Sequence, residues 1–174
     1  GMEMGASSSK DLASLLAQGR AAFERQEWPA AIDTFKRTLA IDPNQPEAHA
    51  YMGLILAQAG HADGALMAFD RALSADAKFP LALWGKGMLL YRAKEDFSGA
   101  RENLETLLSI MPAGAEKDEL KKTLEFLKKR ELVKEKEGAV WFTPNEVEGL
   151  DDNAVLIKSD GDPTYFLADL AYHY

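Results

Sequence analysis

The sequence predicts a mainly α-helical protein in which three helix–turn–helix repeats stack into a right-handed α-solenoid, followed by a capping helix and a short C-terminal segment with β-strand character. The main observation is a 34-residue period: Gly19 is repeated at Gly53, and Phe35 is repeated at Phe69. A proline also closely follows each predicted second helix, and proline cannot continue a helix. Such a period is typical of a solenoid whose neighbouring repeats share one core.

The second repeat, residues 46–79, shows the pattern most clearly. Antiparallel helices pack closely only where facing residues are small, and Gly53 and Ala65 supply such positions on the two helices. Leu56 and Phe69 are expected to fill the space beside them. These residues at this spacing resemble the tetratricopeptide repeat (TPR) family, and the resemblance implies a superhelix of helix pairs that binds other proteins.

The same pattern divides the rest of the chain. Gly87 lies 34 residues after Gly53, whereas Ala100 and Leu104 lie 35 residues after Ala65 and Phe69, so one residue is inserted near 94–98. Loops tolerate such insertions at low cost. The predicted organisation is a loose leader or tag at 1–11, repeats at 12–45, 46–79 and 80–114, a capping helix at 115–137, and a tail at 138–174.

The capping helix is predicted from an apolar face at Leu120, Leu124 and Leu127, with charged residues of both signs on its other faces. A terminal helix with a polar outer face keeps the last repeat from exposing its core. A basic cluster at 128–130 suggests nucleic-acid binding. We favour the alternative of a solvated helix face, because glutamates flank the cluster.

Composition narrows the classes of function. The formal net charge of -8 argues against a broad nucleic-acid-binding surface, and the absence of cysteine excludes disulfides and thiolate chemistry. No apolar run approaches the length of a membrane span. We therefore expect a cytoplasmic protein with a hydrophobic core, to which the 47% hydrophobic fraction is suited.

In the TPR family the first helices line a concave groove. The resemblance implies a groove of aromatic and apolar residues with two arginines, which are residue types common at binding hot spots. These candidate partner-binding residues are Leu16, Arg20, Glu24, Tyr51, Leu54, Gln58, Trp84, Met88, Tyr91 and Arg92. The alternative is that the tail or the capping helix fills the groove. Some family members grip a C-terminal carboxylate with lysines and asparagines, and that clamp is absent here.

The tail has a different pattern. GAVWF and AVLIK are short apolar runs separated by turn residues, which indicates strands. Two or three strands alone form a marginal fold. The tail is therefore expected to dock on the capping helix, to pair with a second copy in a homodimer, or to stay mobile.

The sequence segments GAVWF and VLIKSDGDPTYFLADLAYH resemble a segment of the catalytic domain of arginyl-tRNA synthetases. The resemblance implies that Tyr165 and Asp169 match residues that hold the arginine substrate, and that His173 closes the same motif. An aspartate can pair with a guanidinium, and a tyrosine can stack on it. No HIGH-like or KMSKS-like motif is present in this sequence, so we expect no aminoacylation by this chain.

We find no sequence signal for catalysis, a cofactor or a metal. His49, His61 and His173 show no metal-ligand spacing, and no phosphate-binding glycine loop is present. The favoured hypothesis is a module that binds a peptide or protein in the groove. The alternative is part of, or a derivative of, an arginine–tRNA ligase; whether the tail is a relic, a truncation or a structural addition stays open.

Overall fold

The computed structural model describes residues 2–138, and side chains from residue 9 to residue 137. The described range contains helices and turns and no strand. Pro46 and Pro80 are the first residues of their helices, where a missing N–H costs nothing. The helices are α1 (Met2–Glu24), α2 (Trp28–Ile41), α3 (Pro46–Gln58), α4 (Ala62–Ala75), α5 (Pro80–Arg92), α6 (Phe97–Ile110) and α7 (Ala115–Gly138).

The chain divides into two compact units, one ending at Gly85 and the other beginning at Lys86. The first unit, called unit 1, contains α1–α4 and the start of α5. The second, unit 2, contains the end of α5 with α6 and α7.

In unit 1, phenylalanine rings lie against glycines. A methyl group added at Gly53 would lie 2.7 Å from Phe69 Cε1, and one added at Gly19 would lie 2.5 Å from Phe35 Cε1. Both phenylalanines are completely buried. The rings can therefore reach the facing helix only because these positions lack a side chain, which confirms the predicted 34-residue register of glycine and phenylalanine.

Unit 2 repeats the arrangement with a leucine. A methyl group at Gly87 would lie 2.8 Å from Leu104 Cδ2. The α5–α6 connection, residues 93–96, is one residue longer than the connections 25–27 and 59–61, which confirms the predicted insertion. Glu95 in this turn has φ 50°, and Gln26 and Gly60 in the two shorter turns also have positive φ. Asp96 caps α6 by accepting a hydrogen bond from Gly99 N at 2.9 Å.

The turns between repeats also recur. Asp42 Oδ1 accepts from Asn44 N at 3.1 Å, and 34 residues later Asp76 Oδ1 accepts from Lys78 N at the same distance. These side chains satisfy backbone donors that would otherwise lack partners after each second helix.

Three further predictions concern the capping helix, the leader and the tail. Leu120, Leu124 and Leu127 of α7 are buried, as their spacing predicts. α1 begins at Met2, so residues 2–11 are helical, and their role as a leader or tag stays a prediction. The predicted β-strand character of residues 138–174 lies outside the described residues. Among residues 2–138, no helix is long and apolar enough to cross a membrane.

Candidate functional site

In unit 1 the predicted groove residues lie on α1, on α3 and at the start of α5, and an ion pair joins α1 to α3. Arg20 Nη1 donates to Glu47 Oε1 at 2.5 Å. The Arg20 side chain is 41% exposed and that of Glu47 is 19% exposed. The hydrogen bond that Arg20 donates to Glu47 raises the pKa of Arg20, so the guanidinium stays charged. This pair forms a polar rim that solvent reaches.

Aromatic rings pack beside the rim. Tyr51 stacks on Phe35, with ring centroids 5.1 Å apart and ring planes 6° apart. The Phe23 ring meets Tyr51 edge-on at 4.9 Å and Trp28 edge-on at 5.4 Å. Burial raises the pKa of Tyr51, which keeps its hydroxyl neutral. Only 5% of Tyr51 is exposed, so the ring belongs to the core of unit 1 in the free protein.

The other unit 1 candidates separate into a floor and a rim. Leu16, Leu54 and Trp84 are buried, whereas Glu24 and Gln58 are exposed. We call Leu16, Arg20, Glu24, Glu47, Leu54 and Gln58 the first-helix face. It combines buried apolar side chains with exposed polar ones, which is the composition of a protein interface with an apolar centre and a polar edge. Contact of any of these residues with a partner stays a prediction.

In unit 2 the candidates lie on the second half of α5. Met88 is buried, Tyr91 is half-buried and Arg92 is exposed. The Tyr91 ring already contacts Phe97 at 5.8 Å and Phe126 at 6.0 Å. Burial raises the pKa of Tyr91. Its ring therefore packs partly inside unit 2, and its exposed part is what a partner could reach.

Sequence reasoning did not find Glu47 or the pair formed by Arg101 and Glu131. Arg20 and Glu47 are 27 residues apart, and Arg101 and Glu131 are 30 apart, so neither pair follows the 34-residue period. The one available signal for Glu47 is its place in the first turn of α3, where an acidic residue is favoured by the helix dipole.

His49 contacts the turn that precedes α3. The ring Nε2 of His49 lies 2.7 Å from the Pro43 carbonyl oxygen, which accepts a hydrogen bond and ties α3 to the preceding turn. Within the described residues, no group of three histidine, cysteine, aspartate or glutamate residues could hold a metal ion. Tyr165, Asp169 and His173 lie outside the described residues.

The helix pairs and the recurring glycine contacts define an α-helical repeat protein. Residues 19–60 match the family described as TPR repeat, and residues 51–108 match the family described as tetratricopeptide repeat. The chain therefore belongs to the tetratricopeptide repeat proteins over residues 19–108.

Part of this chain is also similar to curated proteins of a different kind. One is an arginine–tRNA ligase of Elusimicrobium minutum, 52% identical over 52 residues, which is 30% of this chain and 10% of that protein. This chain thus spans about a tenth of the length of that relative. The likeness agrees with the predicted resemblance of the tail. Because the match is longer than residues 138–174, any match that includes the whole tail also extends into α7.

Solved structures share the repeat fold. The TPR domain of Sgt2 from Aspergillus fumigatus is 26% identical, with a TM-score of 0.60, over 74% of this chain and 83% of that chain. The first TPR of Spaghetti (RPAP3), bound to the HSP90 peptide SRMEEVD, is 18% identical, with a TM-score of 0.61, over 69% of this chain and 94% of that chain.

Proposed function

We propose that this protein is a binding module that holds a segment of another protein on the first-helix face, without catalysis. The observation that carries the proposal is the composition of that face: a buried apolar floor bordered by Arg20, Glu47 and Glu24. Leu16 and Leu54 are only 8% and 7% exposed, so a partner gains little apolar burial from them, and the exposed charged groups of the edge would supply its contacts and set its orientation. The fold it shares with a peptide-bound TPR domain supports this function.

We further propose that the partner differs from an acidic C-terminal tail such as SRMEEVD. Leu16 and Leu54 stand where the family's carboxylate clamp would place polar groups. Arg20, the cation of the first-helix face, already donates to Glu47, so a carboxylate would have to compete with an internal one. The first-helix face fits a segment that presents polar groups to the exposed Arg20–Glu47 pair and to Glu24.

A photo-crosslinking experiment tests the proposed face. A crosslinkable amino acid replaces Glu24 on α1 in one version of the full chain and Met67 on α4 in the other, both of which are exposed. In cells of the source organism we expect a discrete partner to be captured from position 24 and not from position 67. Capture of the same partner equally from both positions, or from Met67 alone, would contradict the first-helix face.

A titration with a defined peptide tests the partner's chemistry. Calorimetry of the full chain with SRMEEVD is expected to show no saturable binding below about 1 mM, a limit that corresponds to roughly 4 kcal/mol. A scrambled peptide of the same composition controls for general charge attraction. Saturable micromolar binding of SRMEEVD and not of the scrambled peptide would refute the proposal that acidic tails are poor partners.

A second candidate function is part of, or descent from, an arginine–tRNA ligase. The identity of 52% over 52 residues favours it. Under this proposal Tyr165 and Asp169 would contact the guanidinium of arginine, with His173 closing the same motif. Binding and charging assays separate this function from the first, since a protein-binding module needs neither arginine nor tRNA.

A further inference from the structure

The last part of α7, residues 128–138, contacts the rest of unit 2 mainly through charged groups, and we call it the strap. Glu131 accepts two hydrogen bonds from Arg101, one from Nε at 2.7 Å and one from Nη2 at 3.3 Å. Arg101 also lies 3.4 Å from Glu105. The strap is thereby held to α6 by a bidentate ion pair, about a quarter of which is open to solvent.

The strap also reaches the connection between α5 and α6. Lys134 Nζ donates to the Glu95 carbonyl oxygen at 2.6 Å. The Lys134 ammonium lies 5.5 Å from the centre of the Phe97 ring, and the Arg130 guanidinium lies 5.1 Å from it. Both cations are attracted to the negative face of the Phe97 ring, and they contact it only while the strap is docked. Glu95 has φ 50°, so Lys134 holds a backbone segment that is itself strained.

The part of α7 before the strap is held differently. Leu120, Leu124, Phe126 and Leu127 are all at most 4% exposed. Beyond Leu127, no described side chain of the strap is buried, and Leu132 is 56% exposed. Residues 115–127 of α7 are therefore docked through apolar contacts, and residues 128–138 of the same helix are docked through ionic contacts.

Salt weakens the ionic contacts of the strap but not the apolar contacts of residues 115–127. Screening shortens the range of charge interactions from about 10 Å at 0.1 M ionic strength to about 3 Å at 1 M. Apolar burial is not screened, because it depends on the area removed from water. A change in ionic conditions can therefore weaken the strap contacts while residues 115–127 stay packed.

We propose that the strap is an ionic latch, which undocks from α6 and from the α5–α6 connection under ionic competition while residues 115–127 remain docked. Undocking uncovers Phe97, which is 6% exposed when the strap is in place. It also releases the part of α7 that joins the repeats to residues 139–174. The latch is independent of the proposed binding function, because every contact that carries it lies within unit 2.

Hydrogen–deuterium exchange on the full chain tests the latch. We compare peptides from residues 128–137 with peptides from 116–127, at about 0.05 M and about 1 M sodium chloride. Exchange in the strap is expected to rise roughly tenfold at high salt, while exchange in 116–127 changes less than about twofold, as for independent local opening. Equal acceleration of both halves, no acceleration, or full exchange of the strap already at low salt would overturn the proposal.

Matched variants separate the latch contacts from general charge effects. Glu131→Gln and Lys134→Met remove one latch charge each and are expected to raise strap exchange at low salt by roughly tenfold. Glu135→Gln and Lys129→Gln make the same charge changes at exposed positions of the same helix and are expected to change it less than about twofold. Equal effects of the latch variants and their controls would show that the strap has no specific ionic latch.

Discussion

Substituting Gly53 by alanine tests the close packing between the helices of unit 1. The added methyl group would lie 2.7 Å, 2.8 Å and 3.0 Å from three atoms of the Phe69 ring. That ring is completely buried and also lies against Gly85, so it has little room to move away. Overpacking of this kind costs about 1–3 kcal/mol, whereas replacing glycine by alanine inside a helix otherwise gains up to about 1 kcal/mol.

Gly64 provides the matched control, because it is also a glycine within a helix. A methyl group there would lie 3.7 Å from Leu56 Cδ1, which is ordinary contact. We expect Gly53→Ala to be less stable than Gly64→Ala by about 1–3 kcal/mol. At about 2–4 °C per kcal/mol, the melting temperatures should differ by roughly 2–12 °C.

The assay is thermal and urea unfolding of both variants and the parent, followed by helical circular dichroism. Equal melting temperatures for Gly53→Ala and Gly64→Ala would refute the packing account. Gly53→Leu should destabilise more than Gly60→Leu. The gap is limited because Gly60 has φ 85°, where any side chain costs about 1–2 kcal/mol even though no atom lies within 4 Å.

Three further predictions concern unit 2 and the tail. A chain ending at Glu137 should retain helical circular dichroism and a cooperative melt, since it keeps the repeats and all of α7 except Gly138. An aggregated or molten product would contradict the 137/138 boundary. Hydrogen bonds from Arg101 lower the pKa of Glu131, so the ion pair stabilises the protein above the unfolded carboxyl pKa of about 4.3 and loses that effect as pH falls through the lower folded pKa. The loss of stability caused by Glu131→Gln at pH 7 should therefore shrink towards pH 3. A loss that is the same at both pH values would argue against the ion pair. The chain should not charge tRNA, and it should not bind free arginine with a Kd below about 1 mM, because a carboxylate–guanidinium pair in contact with solvent contributes only about 0–1 kcal/mol. Saturable binding that is tighter than this and is lost in Asp169→Ala would overturn the prediction.

The repeat register could be predicted because it depends on residue size at fixed spacing. Gly53 and Phe69 are chemically distinctive, and their contact follows from the period alone. The inserted residue before α6 was visible for the same reason. The structure adds that the turn within each repeat holds a residue at positive φ, which is Gln26, Gly60 or Glu95, and only the glycine among them suggests this conformation from sequence.

The surroundings of the candidate site could be predicted only in part. Tyr51 stands 34 residues before Gly85, and the two positions are used differently. Gly85 lets the Phe69 ring approach α5, whereas Tyr51 stacks its own ring on Phe35. Register alone places Tyr51 on a first helix but does not say whether a neighbouring ring covers it, because that depends on side-chain volumes in two repeats.

Ionic contacts were the least predictable part. The Arg20–Glu47 and Arg101–Glu131 pairs join residues at separations other than the repeat period, and many other charged residues were equally plausible partners. Long charged side chains reach several neighbours, so sequence spacing does not select one of them.

The measurement that tests the proposed function most directly is the affinity of the captured partner segment for two charge-balanced double variants. Arg20→Gln with Glu24→Gln removes one positive and one negative charge from the first-helix face. Arg37→Gln with Asp33→Asn removes the same charges from exposed positions on α2. By calorimetric titration we expect the first variant to bind at least roughly tenfold more weakly than the parent, a loss of about 1.4 kcal/mol, and the second to bind within about twofold, with both retaining the parent's helical circular dichroism. Equal affinity of the two variants, or a loss confined to the α2 variant, would contradict binding on the first-helix face.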